Sequence, residues 1–197
     1  MSRKTSILTA VAIGSLVIGG GLAAVAQEDA AKPTQASSKV EAATPAEVVS
    51  KVRAASRFLN TKGASGFASF NNADGPWVWK DSYVFVYDCR LDRMVAHPMR
   101  PDLVGRPLMQ ITDNNGKYIF RELCKAGDHK NGGWVEYLWT KPGAGGVSRK
   151  ISYALAADIA FATGIQVAAG VYDDKVSTAE LDKLTDTMSD PSKYPAH

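Results

Sequence analysis

Aromatic and cationic side chains recur at the predicted strands of this 197-residue chain, in a combination that suits a small organic anion. A lysine supplies positive charge, tyrosine hydroxyls and an imidazole supply directional hydrogen bonds, and aromatic rings form apolar walls. A small carboxylate would use all three kinds of group. The candidate binding residues are Trp79, Tyr83, His97, Tyr137, Lys150 and Tyr153.

Each candidate also has a purely structural interpretation. Aromatic residues in strands normally belong to the hydrophobic core, with their polar atoms hydrogen-bonded. Lys150 would be an ordinary solvated charge if its strand end were exposed. Lys150 and Tyr153 are three residues apart, so a regular strand places them on opposite faces of its sheet. Both can line one pocket only if the strand bulges or twists, or if one of them lies at the rim.

Catalytic and metal-binding patterns are not found in the sequence. It contains three histidines, His97, His129 and His197, and none are paired at helical spacing. The serines near Gly63 and Gly146 do not fit a nucleophile elbow, and there is no glycine-rich phosphate loop or Cys-x-x-Cys-His haem site. We therefore predict a binding protein rather than an enzyme, with no cofactor and no metal.

The N-terminal region has the layout of a secretory signal peptide. Arg3 and Lys4 precede an uncharged apolar run, residues 7–26, which ends in the small residues Ala24-Val25-Ala26. We predict cleavage after Ala26 and a periplasmic or secreted product. The alternative is an uncleaved anchor, because the run is long enough to span a bilayer. Loss of the two cations would take the formal net charge from +3 to +1, which argues against nucleic acid or an anionic membrane as a partner.

The remaining chain is predicted to form one α+β domain. Residues 27–43 are a predicted flexible linker, residues 44–176 the domain, and residues 177–197 a C-terminal helix and tail. Thr44, Pro45 and Glu47 predict a helix start, with Gly63 as its end.

Hydrophobic periodicity predicts the other elements. The predicted strands are residues 83–87, 94–97, 134–140, 149–156 and 165–172, the shorter helices are residues 117–125 and 177–188, and residues 67–79 are a loop. One hairpin followed by a three-strand meander gives a central antiparallel sheet of about five strands.

The two cysteines are predicted to form a disulfide. Export would place Cys89 and Cys124 in an oxidising compartment, where bond formation is the ordinary outcome. Cys89 lies at the predicted hairpin turn and Cys124 on the short helix, so the bond would tie that helix to the sheet. The alternative is a pair of buried free thiols.

Seven short motifs follow one another along the domain. The first four are Tyr83-Val84-Phe85-Val86-Tyr87-Asp88, Val95-Ala96-His97-Pro98, Leu103-Val104-Gly105-Arg106 and Asp113-Asn114-Asn115-Gly116. The other three are Gly133-Trp134-Val135-Glu136-Tyr137-Leu138-Trp139, Lys150-Ile151-Ser152-Tyr153 and Gly170-Val171-Tyr172. In order and spacing, over roughly residues 45–175, they resemble a single Cache domain, an extracytoplasmic PAS-like sensor domain.

The resemblance implies a fold and a ligand class. A long N-terminal helix would pack on the antiparallel sheet, and a pocket would form between the sheet and a cover made of a loop and a helix. The ligand would be a small metabolite, often a short organic acid. The positions that match the family are His97, Tyr137, Lys150 and Tyr153, and Trp79 and Tyr83 join them on geometry alone.

The sequence also departs from the usual Cache arrangement. Cache domains usually lie between two transmembrane helices of a chemoreceptor or sensor kinase, whereas no second membrane segment and no transmitter domain is recognised here. We therefore expect a stand-alone sensor domain whose signal passes through a partner, such as a membrane sensor protein. The alternative is a structural or interaction domain with no ligand of its own, which predicts an exposed apolar patch. An enzyme would need a perturbed titratable group in a cleft.

Overall fold

A five-stranded antiparallel sheet organises residues 40–189, the part of the chain that this computed structural model describes. The strands are β1 (Val78–Trp79), β2 (Ser82–Tyr83), β3 (Phe85–Asp88), β4 (Arg93–Ala96), β5 (Gly133–Thr140), β6 (Val147–Ala156) and β7 (Ile165–Val171). The helices are α1 (Pro45–Lys62), α2 (Ile119–Gly127) and α3 (Thr178–Met188). The main sheet has the order β4-β3-β7-β6-β5, so the last strand lies in the middle. The predicted α+β fold with a long N-terminal helix on this sheet is confirmed.

The predicted signal peptide, residues 1–26, lies outside the described residues, as do most of the predicted linker and the C-terminal tail. Within residues 40–189, no helix is long and apolar enough to cross a bilayer.

Helix α1 begins and ends where its sequence predicts. The Thr44 hydroxyl accepts the Glu47 N–H at 3.3 Å and the Glu47 carboxylate accepts the Thr44 N–H at 2.8 Å, which closes a capping box. Gly63 ends the helix with a φ of 59°, a left-handed conformation that glycine adopts at little cost. The predicted apolar stripe is buried: Val48, Val52, Ala55 and Leu59.

Side-chain alternation divides the core between the two faces of the sheet. Ile151 and Tyr153 lie on the face covered by α1 and α3, in one buried cluster that includes Leu181. Phe85 and Tyr137 lie on the opposite face, in a second cluster under α2 and residues 97–118. The sheet is therefore buried on both sides, and any site on the second face lies beneath α2 and the loop before it.

Two local predictions were wrong. Part of the predicted loop, residues 67–71, belongs to a 3-10 helix (Gly63–Asn71), because Phe70 is buried with its ring 4.7 Å from Trp77 and 5.9 Å from Phe58. The predicted strand 83–87 is divided at Val84, whose N–H donates to the Trp77 carbonyl. Strands β1 and β2 consequently form a small sheet of their own.

The predicted disulfide between Cys89 and Cys124 is present. Cys89 directly follows β3 and Cys124 lies in α2, so the bond fastens α2 to the sheet. Gln166 of β7 reinforces this contact, because its side-chain amide donates to the Cys124 carbonyl at 2.9 Å and to Asp128 at 2.8 Å.

Candidate functional site

A narrow cavity lies between the main sheet and α2. It is so narrow that a water-sized sphere does not fit without a side-chain movement. The lining combines apolar rings with one amine, one imidazole and one phenol. The lining residues are Phe85, His97, Ile119, Phe120, Tyr137, Trp139 and Lys150. No acidic side chain is among them.

Lys150 is a cation buried among aromatic rings. Its side chain projects from β6 and is 1% exposed. The ammonium nitrogen lies 4.1 Å from the centre of the Tyr83 ring and 5.3 Å from the centres of the Phe85 and Tyr172 rings. Burial lowers the pKa of Lys150, and Tyr83 and Asp81 only partly offset this effect. Cation–π contacts compensate some of the lost hydration, but they do not neutralise the charge.

Gly170 of β7 makes the buried position of Lys150 possible. A Cβ atom at residue 170 would lie 2.6 Å from Lys150 Cε and 2.5 Å from Ser152 Oγ, both shorter than a van der Waals contact. The absence of a side chain at this point lets the lysine cross the neighbouring strand. Gly170 therefore belongs to the site, although it contributes no functional group.

His97 is held as a neutral hydrogen-bond donor. Its Nδ1 accepts the Met99 N–H at 3.2 Å and the Arg100 N–H at 3.0 Å, so the proton of the neutral ring is on Nε2. Burial, together with the positive charges of Lys150 and Arg100, lowers the pKa of His97 to about 3. The ring thus offers an N–H group to the cavity that it lines, without adding a second cation.

We expect the ring signals of His97 not to titrate between pH 8 and pH 5. Since the pKa in the folded state, about 3, lies below the unfolded value of about 6.5, the unfolded state binds a proton that the folded state does not. The free energy of unfolding therefore falls as the pH drops from about 6.5 towards 3. NMR titration and urea unfolding at several pH values test both points. A titration midpoint near pH 6 would contradict the assignment, and His97→Gln should remove this part of the acid sensitivity.

Tyr83 and Tyr137 complete the polar surroundings of Lys150. The Tyr137 hydroxyl lies 2.8 Å from Ser152 Oγ, and burial raises its pKa, so the phenol stays protonated. The Tyr83 ring is also 4.9 Å from the His97 ring. The structure thus brings together four of the predicted binding residues: Tyr83, His97, Tyr137 and Lys150.

The other two candidates lie on the opposite face of the sheet. Tyr153 is buried against Trp134, with 5.3 Å between the ring centres, and its hydroxyl donates to the Asn131 carbonyl. Trp79 packs beside α1, where Lys51 Nζ lies 5.6 Å from the centre of its ring. Since Lys150 and Tyr153 follow regular strand alternation, the bulge that would bring them together does not occur. We leave Trp79 and Tyr153 out of the proposed site.

Several residues near the cavity were not among the candidates. Phe85 lies two residues after the candidate Tyr83, and Trp139 lies two residues after the candidate Tyr137. Because alternate residues of a strand share a face, this spacing could have revealed both. Ile119 and Phe120 come from α2, and no local pattern in the sequence indicates which helix covers the sheet. Within residues 40–189, no group of three or more potential ligand side chains is placed to hold a metal ion.

Parts of two known sensor proteins are similar to this chain in sequence. The chain is 31% identical over 106 residues to the methyl-accepting chemotaxis protein McpP of Pseudomonas putida, and 35% identical over 82 residues to the sensor histidine kinase MctS of Rhizobium johnstonii. These matches cover 54% and 40% of this chain but only 19% and 17% of the two relatives. The chain thus matches less than a fifth of the length of either relative.

A solved periplasmic sensor domain of a chemotaxis protein has a similar structure, with a TM-score of 0.51 and 28% sequence identity. The superposition covers 64% of this chain and 90% of that domain. The family model for single Cache domain 2 matches residues 32–185. Because that match covers most of the sequence, this chain belongs to the single Cache domain 2 family.

Proposed function

We propose that this domain binds a short monocarboxylate outside the cytoplasm and acts as a sensor module. The observation that carries the proposal is Lys150. Among the described residues, no carboxylate lies within ion-pair distance of its ammonium group, although the side chain is 1% exposed. A buried charge without a counter-ion is costly, and a ligand carboxylate would supply one.

The other cavity residues fit the same kind of ligand. His97 Nε2–H and the Tyr137 hydroxyl are neutral hydrogen-bond donors close to the lysine. Phe85, Ile119 and Phe120 give the cavity an apolar part that suits a short alkyl chain. The single cation favours one carboxylate over two, and the absence of an acidic lining residue disfavours the ammonium group of an amino acid.

The size of the cavity limits the ligand to a few heavy atoms. Pockets for drug-sized ligands begin at roughly 300 Å³, whereas this cavity does not hold even one water-sized sphere. Because the walls leave no room for a free water-sized sphere, the ligand must displace side chains as it enters. Acids with about two to four carbons are therefore the expected range.

The kinds of protein that match this chain support a sensing role. A chemotaxis protein and a sensor histidine kinase both match this chain. We infer that the domain is periplasmic or secreted, after cleavage behind Ala26, and that a membrane sensor protein receives its signal. In this arrangement the domain itself performs no catalysis.

One observation favours the alternative function, an interaction domain without a ligand. Phe161 is fully exposed on the loop between β6 and β7, with a φ of 65° that is rare for a phenylalanine. Leu91, in the turn between β3 and β4, is 59% exposed, and the Cys89 N–H donates to Gly164 to join the turn to the loop. If this surface carries the function, Phe161→Ser should abolish capture of a partner from an envelope extract and leave carboxylate binding intact.

Thermal unfolding of the purified protein with a series of straight-chain acids, from formate to hexanoate, tests the ligand. At a hundredfold excess over Kd, a ligand that binds only the folded state stabilises by about 2.7 kcal/mol, which raises the Tm by several degrees in a domain of this size. The Tm should rise most with acids of two to four carbons. The matched amides, which lack the charge, should have no effect. The proposal fails if no acid raises the Tm or if amides act equally well.

A further inference from the structure

The β1–β2 hairpin, residues 78–83, connects the cavity with the start of α1. At one end of the hairpin, Tyr83 packs against Lys150 and His97. The centre of its ring lies 4.1 Å from Lys150 Nζ and 4.9 Å from the centre of the His97 ring. At the other end, Lys80 and Asp81 form the turn between the two strands. The hairpin is short, so a displacement of Tyr83 also displaces this turn.

The turn holds the residues that lead into α1. Asp81 Oδ1 accepts the Ala43 N–H at 2.7 Å, and its Oδ2 lies 2.9 Å from Lys141 Nζ. Lys80 Nζ lies 2.8 Å from a carboxylate oxygen of Glu41 and of Glu47. Glu47 is also the residue that closes the capping box of α1. Two adjacent side chains thus fasten the chain before α1 and its first turn to the hairpin.

The turn has a backbone conformation that is uncommon for a lysine. Lys80 has a φ of 49°, the left-handed region that non-glycine residues rarely occupy. Such a backbone persists where the surroundings hold it in place. Asp81 is 1% exposed, which is exceptional for a carboxylate. Its Oδ1 accepts the Ala43 N–H, whereas Oδ2 has no hydrogen bond among the described residues and has only the nearby charge of Lys141 to offset its burial.

We propose that Lys80 and Asp81 are positioning residues that couple occupancy of the carboxylate site to the order of the chain entering α1. The inference rests on the proposed function. Because the cavity is too narrow for a water-sized sphere, a ligand beside Lys150 must move the lining side chains Lys150 and His97. Tyr83 packs against both of these side chains, so their new positions fix the hairpin. The coupling is reciprocal: the ligand orders residues 41–47, and contacts at residues 41–47 strengthen ligand binding.

Lys80→Asn is the variant that tests the coupling, since asparagine tolerates a positive φ but cannot bridge Glu41 and Glu47. In the wild-type protein, saturating propionate should slow the amide exchange of Ala43 about threefold or more. In Lys80→Asn this protection should disappear and the Kd for propionate should rise about threefold, as expected for the loss of partly exposed ion pairs. Lys80→Arg should restore both values.

Lys130→Asn is the matched control, because Lys130 is exposed in the loop before β5 and the variant has the same change of charge. It should bind propionate like the wild type. If the wild type binds propionate but Ala43 exchange is unchanged by it, or if Lys80→Asn keeps wild-type affinity, the coupling is wrong and the binding site stands. If the wild-type protein binds no carboxylate, both proposals are wrong.

Discussion

Replacing Lys150 by methionine is expected to abolish carboxylate binding and, at the same time, to raise the melting temperature of the ligand-free protein. Methionine keeps the unbranched side chain up to the ε position and removes the charge. Without ligand, the ammonium is desolvated between three rings. Among the described residues no carboxylate lies within ion-pair distance of it, and Asp81 offsets only part of the cost of burial. Exchanging buried charges for apolar groups of similar volume stabilises proteins by about 1–4 kcal/mol, and we expect a gain at the lower end of that range.

The loss of binding free energy in Lys150→Met should be larger than its gain in the free energy of unfolding. Loss of one partner of a buried charge pair costs about 2–5 kcal/mol, so the Kd for a short acid should rise about thirtyfold or more. Isothermal titration with propionate measures this loss. If Lys150→Met binds propionate like the wild type, Lys150 is not the counter-ion of the ligand.

The stability gain should depend on pH in a defined direction. Because burial lowers the pKa of Lys150, the unfolded state holds a proton that the folded state releases once the pH exceeds the folded value. The wild-type protein is thus stabilised as the pH rises between the lowered pKa and the normal value of about 10.4. The advantage of Lys150→Met should shrink over that window.

Lys141→Met is the matched comparison, and it should have the opposite effect. Lys141 is partly exposed and pairs with the buried Asp81 carboxylate at 2.9 Å. Its loss leaves that carboxylate without its cation, so the Tm should fall. A fall in Tm for both variants would mean that Lys150 is compensated in the ligand-free state, and would remove the main support for a carboxylate ligand.

Removal of the disulfide should be the most destabilising covalent change in the domain. Cys89 and Cys124 are separated by 35 residues, a loop for which chain-entropy arithmetic gives about 4 kcal/mol. In Cys89→Ala/Cys124→Ala we expect the Tm to fall by roughly 10 °C. Because α2 carries Ile119 and Phe120, the affinity for propionate should fall as well.

Urea unfolding of the wild-type and double-alanine proteins, each with and without a reductant, measures the contribution of the bond. The reductant should destabilise the wild type and leave the double variant unchanged, which excludes effects on other groups. A difference below about 1 kcal/mol between oxidised and reduced wild type would show that packing of α2, and not the bond, holds the cover of the cavity in place.

The elements with strong local signals could be predicted from the sequence. Capping boxes at Thr44 and Ser177 determine where α1 and α3 begin, because those side chains bond the first free N–H groups of the helix. Alternation along β6 indicates that Lys150 and Tyr153 lie on opposite faces, as they do, although both were candidate binding residues. Such features depend only on residues within a few positions of one another.

What depends on distant packing could not be predicted. Trp79 carries no local sign that its strand leaves the main sheet and packs beside α1. The space that Gly170 leaves for Lys150 arises between neighbouring strands, and Ile119 reaches the cavity only because α2 folds back across the sheet. The sequence could therefore indicate the polar candidates Tyr83, His97, Tyr137 and Lys150, and strand spacing could indicate Phe85 and Trp139, whereas the part of the wall that α2 supplies could not be predicted.

The disulfide also bears on the order in which the chain folds. Residues of β3 pair with β7, as in Asp88 with Ile165, so the central sheet closes only when two distant segments meet. The bond between Cys89 and Cys124 shortens the path between those strands to roughly half as many residues, and halving a loop lowers its closure cost by about 0.6 kcal/mol. Non-local pairing of this kind limits folding rates. Oxidation before the sheet closes would therefore speed folding, and refolding from the reduced state would be slower.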